Sequence, residues 1–247
     1  MVISSINSAL SGLGVYSGLV TAAAGNLANL NTTGYKAGRL DLGTRGSMSQ
    51  GGIEVGQGAQ ILNTSRDFSS GPLLSTGSEF DLAIQGDGFF KVSRGGQDVY
   101  TRDGSFHLDK DRFLVDAQGN RLQPDFQLPT NATSVQLGRN GQLTARDGGG
   151  NIVASADLSL SRFANPDGLA SIGQNDFLPT AASGVPRDFT PGTGGAGALT
   201  QGALEGANVD PAREMINLML GSQGYAANIK SLKTAEEMLQ TVIDIRA

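Results

Sequence analysis

The segment from Asn208 to Ala247, NVDPAREMINLMLGSQGYAANIKSLKTAEEMLQTVIDIRA, constrains the fold more than any other part of the chain. Asp210 can accept hydrogen bonds from the open N–H groups of a helix start, and Pro211 suits the first helical position, where its missing N–H costs nothing. No proline follows. Steps of three and four along this stretch give Met215, Leu218, Ser222, Tyr225, Ile229, Leu232, Glu236, Leu239 and Ile243, apolar except at Ser222 and Glu236. That spacing predicts a long helix with a heptad-like seam, which has to be buried against a partner.

The opposite end of the chain offers one. The same walk from Ile3 gives Ile6, Leu10, Leu13, Ser17, Val20, Ala24, Leu27 and Asn31. Two seams of similar length at the two termini predict paired, coiled-coil-like helices with the rest of the chain inserted between them. The expected class is α+β, with a Gly-rich antiparallel β domain at the centre. The expected division is a discontinuous helical assembly domain at 1–35 and 208–247, an extended linker at 36–58 and a β domain at 59–207. The N-terminal helix should stop near Asn31, where NTTGYK supplies Asn, two threonines and Gly34.

The middle of the chain carries the β signal. Phe80, Leu82 and Ile84 alternate with Asp81, Ala83 and Gln85, and Gly86-Asp87-Gly88 supplies a turn before FFKVSR. Short runs of the same kind recur at DVYTR, SFHLD, RFLVD, SVQLG, QLTAR and LSLSRF, separated by Gly- and Asn-rich turns. Residues 59–163 are expected to form an antiparallel meander or open barrel. Residues 164–207 show few strand signals and are expected to return the chain to the C-terminal helix. The 36 glycines among 247 residues, about twice the usual share of ~7%, fit a turn-rich centre.

Several functions are argued against by what the chain lacks. A net charge of −5 with no clustered Lys or Arg speaks against a nucleic-acid surface. Without cysteine there is no thiolate zinc site, disulfide or cysteine nucleophile. The apolar N-terminus lacks a positive region and is interrupted by Ser4, Ser5, Asn7, Ser8 and Ser11, so it does not read as a cleaved leader. No run is long enough to be a transmembrane helix.

The single histidine, His107, reads as a solvated strand residue and assembles no triad or metal site. Asp109, Asp111 and Asp116 fail the calcium-loop pattern, because Leu114 stands where the loop needs glycine. Gly192 to Gly197 matches GxGxxG, but Pro191 precedes it and no apolar helical run follows, so a dinucleotide site is not expected. Nothing singles out a carboxylate pair for glycosidic chemistry. The expectation is no catalytic residue, no cofactor, no metal and no small-molecule substrate.

Against this background NLANLNTTGYKA (Asn26 to Ala37), FDLAIQGDGFFKV, VYTRDGSFHLD and AEEMLQT resemble signatures of the axial proteins of the bacterial flagellum, the rod and hook subunits. SRFANPDGLASIGQNDFLPTAASG and TPGTGGAGALTQGALEGANVD are most similar to the distal rod members of that family. The connector at 36–58 is shorter than in those members, and Ser222-Gln223-Gly224 stands where the family usually shows Gln-Arg-Ala before the tyrosine. The resemblance implies a structural subunit that stacks with its own copies into a hollow helical rod, meets other axial proteins at each end and is surrounded by ring proteins. It implies export to the basal body through the rod's own channel, without a cleaved signal peptide. The residues to which the seams and the resemblance together point for assembly are Ile6, Leu10, Leu13, Val20, Leu27, Asn29, Asn31, Gly34 and Tyr35 at the N-terminal end. At the C-terminal end they are Met215, Leu218, Tyr225, Ile229, Leu232, Leu239 and Ile243. A proximal rod or hook-type subunit is the alternative, and a peptidoglycan hydrolase the remote one.

Overall fold

The computed structural model describes residues 2–50, 53–138 and 140–244, with side chains described for 4–46, 56–138 and 140–241. Two long helices lie at the ends, α1 at Val2–Ala28 and α2 at Pro211–Asp244, with short antiparallel strands between them. The class is α+β with a central β domain. Asp210 starts α2 as its sequence predicts: its Oδ1 accepts the N–H groups of Ala212 (3.0 Å) and Arg213 (3.3 Å), and its carbonyl accepts the N–H of Glu214 (3.0 Å). At the other end α1 stops at Ala28, and the carbonyl of Asn29 accepts the N–H of Thr32 at 3.0 Å.

The chain divides into two compact units, one of Met1–Ala28, Gly38–Arg66 and Val209–Ala247, the other of Asn29–Ala37 and Asp67–Asn208. In the first, α1 and α2 pack antiparallel. Asn228 faces Gly12, the Tyr16 ring covers Gly224, Val20 faces Gly221, and Asn26 donates to the Glu214 carboxylate at 3.0 Å. These contacts differ from the expected seam. On α2 the covered face carries Glu214, Gly221 and Ala235, with Leu218, Leu232 and Leu239 half-buried, whereas Met215, Tyr225 and Ile229 are 53%, 41% and 45% exposed.

The physical reason is close approach. A Cβ on Gly221 would sit 2.7 Å from Val20 Cγ2, and one on Gly224 would fall onto the Tyr16 ring. The two glycines, each costing the helix ~1 kcal/mol in propensity, are where the partner helix comes nearest. Counting apolar residues alone therefore captures only part of the face that α2 turns to α1: Leu218, Leu232 and Leu239, but not the glycines between them.

Residues 36–58, expected as an extended linker, contain strands. Gly38–Thr44 pairs antiparallel with Ala59–Arg66, and Ser47–Gln50 pairs with Ile53–Gly56. Leu40 and Ile61 lie against Gly18 of α1. The buried Asn26 side chain binds Gly38 twice, accepting its N–H at 2.8 Å and donating to its carbonyl at 3.0 Å.

The second unit is built on a seven-stranded antiparallel sheet. Its order along the sheet is Ala170–Gly173, Asp176–Leu178, Gln97–Thr101, Phe90–Arg94, Arg121–Leu122, Leu114–Val115 and His107–Leu108. A three-stranded meander at Ala132–Leu137, Gln142–Asp147 and Ile152–Asp157 accompanies it. Leu82, Ile84, Phe90, Val92, Leu114, Leu143 and Leu160 form the main core. A second core is aromatic: Phe68, Phe89, Tyr100, Phe163 and Phe177 meet edge to face at centroid distances of 4.9 to 6.0 Å. Such pairs add about 0.5–1.5 kcal/mol each beyond burial.

Residues 164–207 hold more strand than their sequence suggests. Asp176–Leu178 joins the large sheet, Ala198–Gln201 pairs with Leu82–Gln85, and Ala203–Glu205 pairs with Leu73–Ser75. These are three- and four-residue strands, too short for an alternation to register, and their partners supply the order. Ala59–Arg66, expected to open the meander, instead belongs to the helical unit.

Candidate functional site

The segment Asn29–Ala37, just past α1, is fixed within the β unit at several points. The Gly34 N–H donates to the Glu205 carbonyl at 2.8 Å, and the residue holds a φ of +66°. A Cβ there would meet the Asp103 backbone nitrogen at 2.5 Å, so only glycine lets the segment lie this close. Thr33 donates to Asp103 at 2.9 Å and accepts from Asn175 at 2.8 Å through its carbonyl. Asn208 accepts the Ala37 N–H at 2.8 Å and donates to the Asp67 carbonyl at 2.7 Å, while the Asp67 N–H donates to the Ala37 carbonyl at 2.9 Å.

Beneath this clip lies a buried ionic cluster. Lys36 Nζ donates to Glu205 Oε1 at 2.7 Å and to the Ser69 carbonyl at 2.7 Å. Arg102 Nη1 reaches Glu205 Oε2 at 3.3 Å and the Gly86 carbonyl at 2.8 Å, and the Gly71 N–H adds a bond to Glu205 Oε1 at 2.9 Å. Side chains of Lys36 and Glu205 are wholly buried, and that of Arg102 is 2% exposed. The Arg102 guanidinium also stacks over Phe89 at 5.1 Å. Burial holds Lys36 below the ordinary lysine value, the nearby Arg102 adds to that, and Glu205 works against it. Burial lowers Arg102 as well. Two cations thus share one carboxylate out of water, a cluster held by its geometry and costly to break.

The stretches NTTGYK, TRDG, GQND and ALEGAN, far apart in sequence, meet here through Thr33, Gly34, Lys36, Arg102, Asp103, Asn175 and Glu205. Sequence reasoning found Gly34 but missed Lys36, Arg102 and Glu205. A partial signal was available for two of them: Glu205 and Lys36 are lone charges beside glycine and alanine in a chain with only 17% charged residues, whereas Arg102 sits next to Asp103 and carries no such mark.

The other assembly candidates fall in three groups. Ile6, Leu13, Val20, Leu27, Leu218, Leu232 and Leu239 are partly buried, and Val20 lies at the α1–α2 contact. Leu10, Met215, Tyr225 and Ile229 are exposed on the helices, Leu10 by 60%, and Asn31 is exposed beyond α1. Asn29 accepts the Thr32 hydroxyl at 3.2 Å, and Tyr35 is partly buried. The Ile243 side chain lies outside the described residues.

None of the catalytic patterns closes geometrically. His107 is exposed on its strand. Ser161 donates to Asp188 at 2.5 Å and Lys91 to Asp188 at 2.9 Å, but the imidazole a triad would need lies elsewhere. Four of the six N–H groups of the Gly192–Gly197 loop are spent on carbonyls: Gly192 on Gly197, Thr193 on Thr190, Ala196 on Thr193 and Gly197 on Asp87, at 2.7 to 3.1 Å. Among the described residues no three His, Asp or Glu side chains converge as a metal set.

Comparison with known proteins identifies the setting of these features. Residues 83–145 match the family described as "Flagellar hook protein FlgE/F/G D1 domain", and residues 200–245 match "Flagellar basal body rod FlgEFG protein C-terminal". The flagellar basal-body rod protein FlgG of Buchnera aphidicola subsp. Schizaphis graminum is 38% identical over 231 residues, covering 87% of this chain and 89% of that protein. The chain belongs to the flagellar rod and hook protein family. FlgG of Bacillus subtilis strain 168 is 31% identical over 260 residues, covering 98% of both chains. The hook protein FlgE of Escherichia coli K12 is 35% identical over 118 residues, covering 48% of this chain and 29% of that protein. In family terms, the first match holds Arg102 and the second holds Glu205 together with all of α2.

Proposed function

We propose that the chain is a structural subunit of the distal part of the flagellar basal-body rod, stacking with copies of itself into a hollow helical shaft and catalysing nothing. The observation that carries this reading is the apolar surface left open on the terminal helices: Leu10 on α1 and Met215, Ile216, Met219, Leu220 and Ile229 on α2, all 45 to 61% exposed. Covering each half-exposed side chain is worth about 1 kcal/mol, so a neighbour on this stripe gains several kcal/mol per subunit. In this reading the coiled-coil-like packing expected from the terminal seams forms between subunits. End-to-end similarity to rod proteins, against similarity to only 29% of a hook protein, supports the rod position. Other axial proteins at each end and ring proteins around the rod are the partners proposed, and export along the rod channel brings the subunit to the basal body.

Electron microscopy and sedimentation of the concentrated protein test this. Wild type should form tubes or filaments. Leu10→Asp and Met219→Asp should keep the monomer's melting temperature and abolish pelleting, because a charge would have to be buried between subunits. Pelleting by both variants at the wild-type concentration would refute the role given to the exposed stripe.

A further inference from the structure

A cavity of about 80 Å³ opens in the β unit, walled by Phe68, Phe89 and Phe163 and reached by Arg102, Arg162 and Asp87. Arg102 is the unusual wall. Its hydrogen bonds to Gly86 and Glu205 both come from Nη1, and its flat face rests on Phe89, so the guanidinium is fixed. Its Nε–H is buried with no hydrogen-bond partner. In a planar guanidinium Nε–H and one Nη2–H point the same way, making an edge that fits the two oxygens of one carboxylate. A buried donor left open in this way costs free energy until an acceptor arrives.

We propose that this cavity is a carboxylate-binding subsite, with one carboxylate held by the Nε–Nη2 edge of Arg102 and flanked by Arg162. Arg162 already reaches toward it, with Nη2 3.4 Å from Asp87 and Nη1 donating to the Gly194 carbonyl at 2.8 Å. The phenylalanine walls leave most oxygens of a phosphate dianion without a donor, and Asp87, on the cavity wall and itself well exposed, adds a like charge beside it. The three phenylalanine walls suit the short apolar stem that carries a carboxylate. Two sources share this chemistry, a free small carboxylate and an acidic side chain of another protein copy.

The test follows the Arg102 Nε–H resonance in the ¹⁵N-labelled full chain at constant ionic strength, with acetate as probe and chloride and inorganic phosphate as comparators. Acetate should produce a saturable shift that chloride does not, with phosphate weaker than acetate. Arg162→Gln should keep the fold and weaken acetate binding about two- to fivefold, the size of a partly exposed ion pair. A non-saturable shift, equal response to chloride, tighter binding of phosphate, or an Arg162→Gln variant that binds acetate as wild type does would each overturn the proposal. Pelleting assays with and without acetate then separate the sources. Loss of pelleting with acetate in wild type points to an acidic side chain of a neighbouring copy, and unchanged pelleting points to the free anion, the subsite standing in both cases.

Discussion

Replacing Glu205 by Gln keeps the shape of the side chain and removes the carboxylate bonded to both Lys36 and Arg102. Both cations remain, at 0% and 2% side-chain exposure, and lose the carboxylate they share, with Asp67 still acting on Lys36 and Asp87 on Arg102. Breaking a buried pair from one side costs about 3–5 kcal/mol. For a unit of roughly this size each kcal/mol lowers the melting temperature by about 2–4 °C, so the expected fall is roughly 6–20 °C. The loss should also depend on pH. Lys36 already sits below the ordinary lysine value of 10.5, and Glu205, ahead of Asp67, opposes that shift, so the variant's Lys36 falls further. A lysine lowered in the folded state destabilises at pH below its folded value and recovers stability as pH rises through it towards 10.5. The gap between Glu205→Gln and wild type should therefore narrow between pH 7 and pH 10. Urea unfolding followed by circular dichroism at several pH values measures it. A penalty under ~1 kcal/mol at pH 7, or a gap that widens with pH, would refute the account of two cations held by one carboxylate.

Asp176 is 1% exposed, its Oδ2 has no hydrogen bond and only the Arg94 guanidinium 3.7 Å away, and burial, helped by Asp116 and opposed by Arg94, pushes its carboxyl up to about 6. The stability this group contributes is full below about 3.8 and is lost as pH rises through about 6, so Asp176→Asn should stabilise by about 2 kcal/mol at pH 8, after allowance for solvent screening, and by nothing below pH 4 in urea titrations. Gly224→Ala should lower the helical melt despite its ~1 kcal/mol better helix propensity, and Tyr16→Ala in the same chain should restore it. Removing residues 1–28 and 209–247 should leave a β unit that melts cooperatively, whereas removing 1–35 and 209–247 also strips Thr33 and Gly34 from Asp103 and Glu205 and should lower the calorimetric melting temperature by several degrees.

The helices, the N-cap at Asp210 and the strands around Phe80 to Val92 were legible because each rests on local periodicity or capping chemistry. The face α2 turns to α1 was not, since Gly221 and Gly224 carry no side chain to count and their meaning depends on Val20 and Tyr16 arriving from the other terminus. Short strands such as Asp176–Leu178 and Ala203–Glu205 were missed because a partner strand, not their own alternation, orders them. The clip was half legible: Gly34 announces a special backbone, but it reads as a helix stop until Glu205 and Asp103 are seen beside it. The ionic cluster joins charges separated by as many as 169 positions, a pairing no window along the chain could contain.

Asn208 gives the lacing of Ala37 and Asp67 a mechanical meaning. Of the four places where the backbone passes from one unit to the other, three have their β-unit ends at Ala37, Asp67 and Asn208, and these residues are hydrogen-bonded to one another. A pull along any one of those three threads is shared at once with the other two. Rupture at the β-unit ends of those threads then requires several bonds to shear together rather than one after another.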